Sequence, residues 1–220
     1  MVAAQKAYKG LPMEGPVATW YAKNTARDER RFRETARAVA ERVRSGGRIL
    51  EVAPGPGYLA IELARRGYAV TAVDISHSFV RIARKNAADA GVNLTVEQGN
   101  ASALPLADAS FDYVVCMAAF KNFSDPVGAM NEMHRVLKPG GRASIYDLRK
   151  DASAADIASE VRGMHLSTLN ALVTRLIFRF GLLKAAYTRE QLERMAADSR
   201  FGRCEVSVSG IGLEVSLARQ

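Results

Sequence analysis

Apolar positions along this chain repeat with two different periods. Short apolar runs rich in β-branched residues read as strands at 48–53, 69–74, 94–98, 112–117 and 142–148. Between them the apolar positions recur at helical spacing, which predicts helices over 57–66, 76–90 and 125–137, with Ser76 and Asp125 where N-caps belong. Ahead of this block, Phe32, Ala36, Val39 and Val43 predict one helix from about Ala26 to Arg44, closed by Ser45-Gly46-Gly47. Residues 8–16, with Gly10, Pro12, Gly15 and Pro16, read as loop. Regular alternation of strand and helix implies an α/β fold with a parallel sheet and helices on both faces.

After residue 149 the pattern changes. The next stretch reads as helices without strands, and Leu169, Leu172, Val173, Leu176, Ile177 and Phe180 form one apolar stripe. Such a stripe is too apolar to stand in water, so it is expected to pack over the sheet ends beside the N-terminal helices. Thr188-Arg189-Glu190-Gln191 is a capping box that opens another helix. Two alternating strands follow, at 203–208 and 212–218, joined near Gly210 as an antiparallel hairpin. The whole chain is expected to form one domain of four parts: N-terminal lid helices over 1–45, a core over 46–149, a helical cap over 150–200 and a hairpin over 201–220.

Composition changes this picture little. At 220 residues, 48% apolar and 25% charged, the chain has the makeup of a globular domain with one core. Arg175 and Arg179 interrupt the one apolar run near membrane-spanning length, and the N-terminus lacks the apolar centre of a signal peptide. No membrane partner and a cytoplasmic location are therefore expected. Cys116 and Cys204 lie in strand-like apolar contexts and read as free thiols. The net charge of +8 raises a nucleic-acid partner. Its arginines are interleaved with acids along helix faces, as in "NTARDERRFRETARAVAERVRSGGR", so a solvated helix surface explains them without a polyanion. A monomer and a homodimer both remain open.

The chemistry concentrates at "RILEVAPGPGYLAIELARRGYAVTAVD", Arg48 to Asp74. A strand runs into Pro54-Gly55-Pro56-Gly57, then a helix, then a second strand ending in Asp74. Gly55 and Gly57 leave room for a ligand against the backbone, the helix start offers unpaired N–H groups, and Asp74 can accept from a ribose diol. Any nucleotide-like cofactor fits so far. A dinucleotide fits less well: Ala60 stands where a third glycine is needed, and Glu51, inside the first strand, would repel a pyrophosphate while suiting an ammonium.

With "LEVAPGPGY", "VDIS", "GNASALPLADASFD" and "RVLKPGGR", residues 46–149 resemble the class I S-adenosylmethionine-dependent methyltransferases, of the small-molecule type 11 kind. The resemblance implies a doubly wound, mostly parallel seven-stranded sheet of Rossmann-like form with a C-terminal antiparallel hairpin and a helical lid. It also implies S-adenosylmethionine as cofactor, with S-adenosylhomocysteine as product. By that likeness Glu51, Ala53, Gly55 and Gly57 line the methionine part. Asp74 holds the ribose, Ile75 packs on adenine, and Asn100 and Ala101 meet its edge, Asn100 through its carbonyl oxygen. Met117 and Ala118 face the cofactor, and Tyr21 either covers it or is a core aromatic beside Trp20. The chain departs from the family at Ala53, usually glycine, at Pro54, often cysteine, at Asn100, often Asp, and at Lys121-Asn122, where many relatives carry two histidines.

Methyl transfer from a sulfonium asks mainly for proximity and exclusion of water, so no catalytic motif is required. Substrate-contact candidates come from the segments that are not shared: Lys121, Asn122, Arg149 and His165, with Lys150 nearby. Lys121 and Arg149 suggest an acidic group on a small-molecule acceptor, unless they are surface charges or are met by Asp147 or Asp151. His77 and His134 read as structural, and no residues stand at metal-ligand spacing. An RNA or protein methyltransferase and a non-catalytic S-adenosylmethionine-binding protein remain as alternatives.

Overall fold

In a computed structural model of the protein, residues 8, 9, 12–164 and 167–220 are described. The elements follow in the order α1 (Gly15–Thr25), α2 (Glu29–Ala40), β1 (Arg48–Val52), α3 (Tyr58–Arg65), β2 (Ala69–Asp74), α4 (His77–Asp89), β3 (Thr95–Gln98), β4 (Phe111–Met117), α5 (Pro126–Val136), β5 (Leu137–Leu148), α6 (Ala154–Gly163), α7 (Thr168–Ile177), α8 (Arg189–Asp198), β6 (Glu205–Ser209) and β7 (Gly212–Ala218). The sheet order is β3-β2-β1-β4-β5-β7-β6. Five strands pair in parallel, β7 runs antiparallel to both β5 and β6, and so six strands share one direction.

Strand residues divide between the two faces by parity, as the pleat requires. Ile49, Tyr113 and Val115 pack with Ala36 and Val39 of α2, Leu59 and Leu63 of α3, and Val80 and Ala83 of α4. Leu50, Val52, Val114 and Cys116 face the other way, against Met130 and Met133 of α5 and Leu192 of α8. Both cysteines are free. Ser76 and Asp125 cap their helices through bonds from Phe79 N (3.0 Å) and Gly128 N (2.8 Å), and Thr188 forms the expected capping box with Gln191.

Two elements differ from the pattern-based reading. The helix expected from about Ala26 to Arg44 starts as a 3₁₀ turn at Ala26–Asp28 and continues as α2, and a further helix, α1, which the pattern did not mark, precedes it. The apolar stripe of α7 does not pack over the sheet ends. Leu169, Leu172, Val173, Leu176, Ile177 and Phe180 are all exposed. The segment is held instead by Phe178 and Leu183, which join Ile157 and Val161 of α6 and Ile211 of the β6–β7 turn in a third, small core. With Phe178 as the inward anchor, the stripe points away from it. The basic helix surfaces do match the solvated reading: Arg30, Arg33 and Arg37 pair with Glu34, Glu29 and Glu41 one turn away.

Candidate active site

Strand order reverses at β1, whose neighbours are β2 on one side and β4 on the other, and a cleft opens beyond the carboxyl ends of these strands. It is a cavity of about 1740 Å³, lined on one side by Glu51, Ala53, Gly55, Asp74, Ile75, Asn100, Ala101 and Met117. Residues of α1, α2 and α6 line the other.

The loop after β1 turns left-handed at once, with φ of 56° at Ala53 and 55° at Gly55. A non-glycine residue held there costs about 1 kcal/mol, so Ala53 carries strain at the head of the site. Ala118, which follows β4 on the same cavity wall, is left-handed too (φ 57°). The loop is tied to the next strand. Asp74 Oδ2 accepts from Gly55 N–H at 3.0 Å, and Oδ1 accepts from Ser76 N–H at 2.8 Å. A Cβ at position 55 would meet nothing closer than Tyr21 Cε1 at 4.0 Å, so the Tyr21 ring covers an otherwise open glycine. Gly57 has another purpose. It does not line the cavity, and a Cβ there would lie 3.0 Å from Ala83 Cβ, so this glycine lets α3 and α4 approach.

Two carboxylates dominate the electrostatics. Glu51 is 2% exposed, and its Oε2 has no hydrogen-bond partner among the described residues. Burial pushes its pKa up to about 8, with the nearby Asp74 carboxylate adding in the same direction. Burial also raises Asp74 to about 6, against the pull of its backbone donors Ser76 and Gly55. A buried acid with an orphaned oxygen, aimed into a cavity, fits a cationic ligand group.

The N-terminal segment closes over this half. Ser76 Oγ donates to Met13 O at 2.6 Å, Ser78 N–H to Glu14 Oε2 at 3.0 Å, and Gly15 N–H to Ser78 Oγ at 2.9 Å. These bonds hang α1, and Tyr21 with it, on the first turn of α4. Phe79 sits edge-on to Tyr21 at 5.8 Å and also lines the cavity. Its place three residues after the Ser76 cap was the signal for it. Tyr8 and Tyr146 are further lining residues not singled out in the sequence.

Asn100 lies on the cavity, but its carbonyl oxygen is already taken by Ser102 N–H (3.1 Å) and Ser102 Oγ (3.2 Å) in a local turn. What remains for a ligand is the amide N–H₂, a donor, and not the acceptor that the sequence reading assigned.

The substrate candidates separate. Lys121 and Asn122 line the cavity. Lys121 is 9% exposed, and its ammonium donates to Asp147 Oδ1 and to Ala118 O, both at 2.9 Å, while its backbone N–H donates to Asp147 Oδ2 at 2.9 Å. Its charge is thus met by the protein. Arg149 does not line the cavity. It pins α6 to the β6–β7 turn through Asp156 Oδ2 (2.6 Å) and Gly210 O (2.9 Å). The two cations expected to mark an acidic acceptor therefore have protein partners. Lys150 is exposed, and His165 falls outside the described residues. His77 is exposed at the start of α4, and His134 stacks edge-on against Phe201 at 5.0 Å. Among the described residues no group of three or more potential ligands is placed to hold a metal ion, and no helix is long and apolar enough to cross a membrane.

A methyltransferase-domain family model matches residues 50–145. A demethylmenaquinone methyltransferase of Deinococcus radiodurans is 39% identical over 57% of this chain and 52% of its own length. A ubiquinone/menaquinone biosynthesis C-methyltransferase (UbiE) of Xylella fastidiosa is 32% identical over 74% of this chain and 68% of its own. The chain spans only about half the length of several of the curated relatives it matches, 52% and 55% in two cases. In fold, a crystal structure of a putative S-adenosylmethionine-dependent methyltransferase from Methanococcus maripaludis covers 98% of this chain and 97% of its own, with a TM-score of 0.73 at 19% identity. A second, from Aquifex aeolicus, covers 84% and 89% with a TM-score of 0.64 at 18% identity. Together with the reversed β7 and the cleft at the strand reversal, these matches place the chain in a family: it belongs to the class I S-adenosylmethionine-dependent methyltransferases.

Proposed function

We propose that this chain transfers the methyl group of S-adenosylmethionine to a small, largely apolar acceptor held in the α1–α6 half of the cavity. The observation that carries the reading is Glu51, a buried carboxyl with an unpartnered oxygen at the head of a left-handed, side-chain-poor loop. An amino-acid ammonium satisfies it, and a pyrophosphate does not.

In this reading Glu51 receives the ammonium of the methionine part. Ala53 and Gly55 keep the loop low enough for the ligand to lie against backbone. Asp74 retains lone pairs on both oxygens for a ribose diol, Ile75 offers an exposed apolar surface to a flat base, and Asn100 donates to a ring nitrogen. Bound there, the cofactor supplies an electrophilic methyl carbon on a sulfonium. The chain's part is to hold the acceptor in line with that carbon and to exclude water, which Tyr21 and α1 do from above. Lys121, neutralised by Asp147, can still direct one N–H at an acceptor oxygen without carrying a free charge.

The remaining wall offers Tyr8, Phe32, Tyr146, Met164, Phe178 and Leu182 as surface for an apolar acceptor, beside charged residues such as Arg30, Arg31 and Glu160. The relatives, a demethylmenaquinone methyltransferase and a ubiquinone/menaquinone biosynthesis C-methyltransferase among them, support a quinone-type acceptor and carbon as the attacked atom. Calorimetry should show binding of S-adenosylmethionine and S-adenosylhomocysteine and none of NAD. A water-soluble short-chain naphthoquinol should gain one methyl group on carbon. Saturable NAD binding with no response to the methyl donor would overturn the reading.

A further inference from the structure

The exposed face of α7 has no partner among the described residues. Leu169, Leu172, Val173, Leu176, Ile177 and Phe180 recur at helical spacing, and Leu169 and Phe180 are 71% and 65% exposed. Water does not favour a contiguous patch of this kind, so it marks a surface that meets something else.

Three observations say what covers it. The first is charge. Between Glu160 and Arg189 the sequence carries Arg162, Arg175, Arg179 and Lys184 and no carboxylate. All four are exposed. Arg175 and Arg179 sit one helical turn apart beside the stripe, with the Arg179 guanidinium 5.6 Å from the centre of the Phe180 ring. An apolar stripe flanked by cations whose stems can lie along it is the pattern of a helix resting in the plane of an anionic lipid surface. The second is position. Trp20 and Val17 of α1, and Met164 and Leu182 on either side of α7, line the cavity and are themselves exposed, so they stand at its mouth. Met164 and Leu182 thus bring one side of the mouth next to the stripe in the chain, and α1 supplies the other. The third is Trp20 itself, 66% exposed, an aromatic with a polar N–H that suits the headgroup level of a bilayer.

We propose that the α7 face, with Trp20, docks on an anionic phospholipid surface and turns the mouth of the cavity toward it. An acceptor dissolved in the bilayer then enters past Met164 and Leu182 without crossing water. The docking stands on the patch and its charges alone, whereas this delivery role rests on the apolar acceptor proposed above. The sequence pattern pointed away from a membrane partner because Arg175 and Arg179 interrupt the run that a membrane-spanning helix would need, whereas a helix lying in the interface keeps such cations.

Vesicle flotation without any acceptor tests it. The intact protein should float with phosphatidylcholine vesicles containing phosphatidylglycerol and stay behind with phosphatidylcholine alone. Leu172→Glu with Leu176→Glu should lower partitioning at least about tenfold. Arg175→Gln with Arg179→Gln should lower it about fivefold per cation removed. Neither pair lines the cavity, so both variants should keep the wild-type circular dichroism and S-adenosylmethionine affinity. Four results would overturn the proposal: no flotation with anionic vesicles, equal flotation with neutral ones, undiminished flotation of the Leu172→Glu/Leu176→Glu protein, or a stable dimer in sedimentation velocity that this variant splits while vesicles recruit nothing. The last would make a second copy of the chain the occupant. Failure here leaves methyl transfer intact, because the donor-binding test does not involve vesicles.

Discussion

The two halves of the cavity are built by different means. The cofactor half is made of backbone: left-handed turns at Ala53, Gly55 and Ala118, a carboxylate that clamps the loop, and an N-terminal segment hung on the first turn of α4. The acceptor half is made of side chains on α1, α6 and the turn after α7, fixed by a small satellite core and by Arg149. Conformation in the first half is over-determined, and the second half leaves a helix face in water. Binding of a shared ligand needs the former, and a variable acceptor is served by the latter.

If the comparison is right, the largest effect comes from the buried Lys121–Asp147 pair on the cavity wall. Lys121→Ala should cost about 3–5 kcal/mol in chemical denaturation, because Asp147 is left buried without a cation. A cost below about 1 kcal/mol would show that the pair is solvated.

Glu51 should show the next largest effect, through pH. Its pKa of about 8 lies above the ordinary 4.5, so between these values the unfolded chain has lost the proton that the folded chain keeps. Stability of the ligand-free protein should therefore fall as pH rises from about 4.5 to about 8, by up to ~1.4 kcal/mol per pH unit from this group. Asp74, raised to about 6, adds in the same direction over the lower part of that range. In Glu51→Gln the slope above about pH 6 should flatten. An unchanged slope in thermal melts would mean that Glu51 is ionised and paired.

Asp74→Ala should weaken cofactor binding about ten- to a hundredfold by calorimetry. It should also cost about 1–3 kcal/mol of stability, because Gly55 and Ser76 lose their acceptor. Survival of full stability would separate the clamp from the ribose role.

The smallest effect belongs to Ala53→Gly. Relief of the left-handed alanine is offset by chain entropy, so stability should change by less than about 1 kcal/mol. A large loss would mean that the Ala53 methyl is needed for packing.

Much of the cofactor half was legible in the sequence because its requirements act on residue type. A left-handed turn selects glycine or a small residue, a buried strand selects an apolar run, and Asp74 ends such a run. Glu51 stood out because an acid inside an apolar strand has no structural reason to be there. Gly57 was legible only in part: its need for a missing side chain showed, but the close neighbour is Ala83 on α4 and not a ligand. The acceptor half was much less so. Nothing in the spacing of Lys121 and Arg149 tells whether a long cation finds Asp147 and Asp156 or a substrate, since that depends on side-chain reach in three dimensions. The α7 stripe misled for a related reason. Periodicity shows that a helix has an apolar face and not what that face meets, and one anchor, Phe178, rotated it outward.

Proton release on cofactor binding tests the central claim most directly. At about pH 6.5 the ligand's amino group is already charged, and Glu51 in the ligand-free protein holds its proton. Titrating S-adenosylmethionine into the protein in buffers of different ionisation enthalpy should reveal release of nearly one more proton from the wild type than from Glu51→Gln, which should also bind at least about tenfold more weakly. Equal proton release and equal affinity in the two proteins would contradict an ammonium at Glu51, and with it this placement of the cofactor.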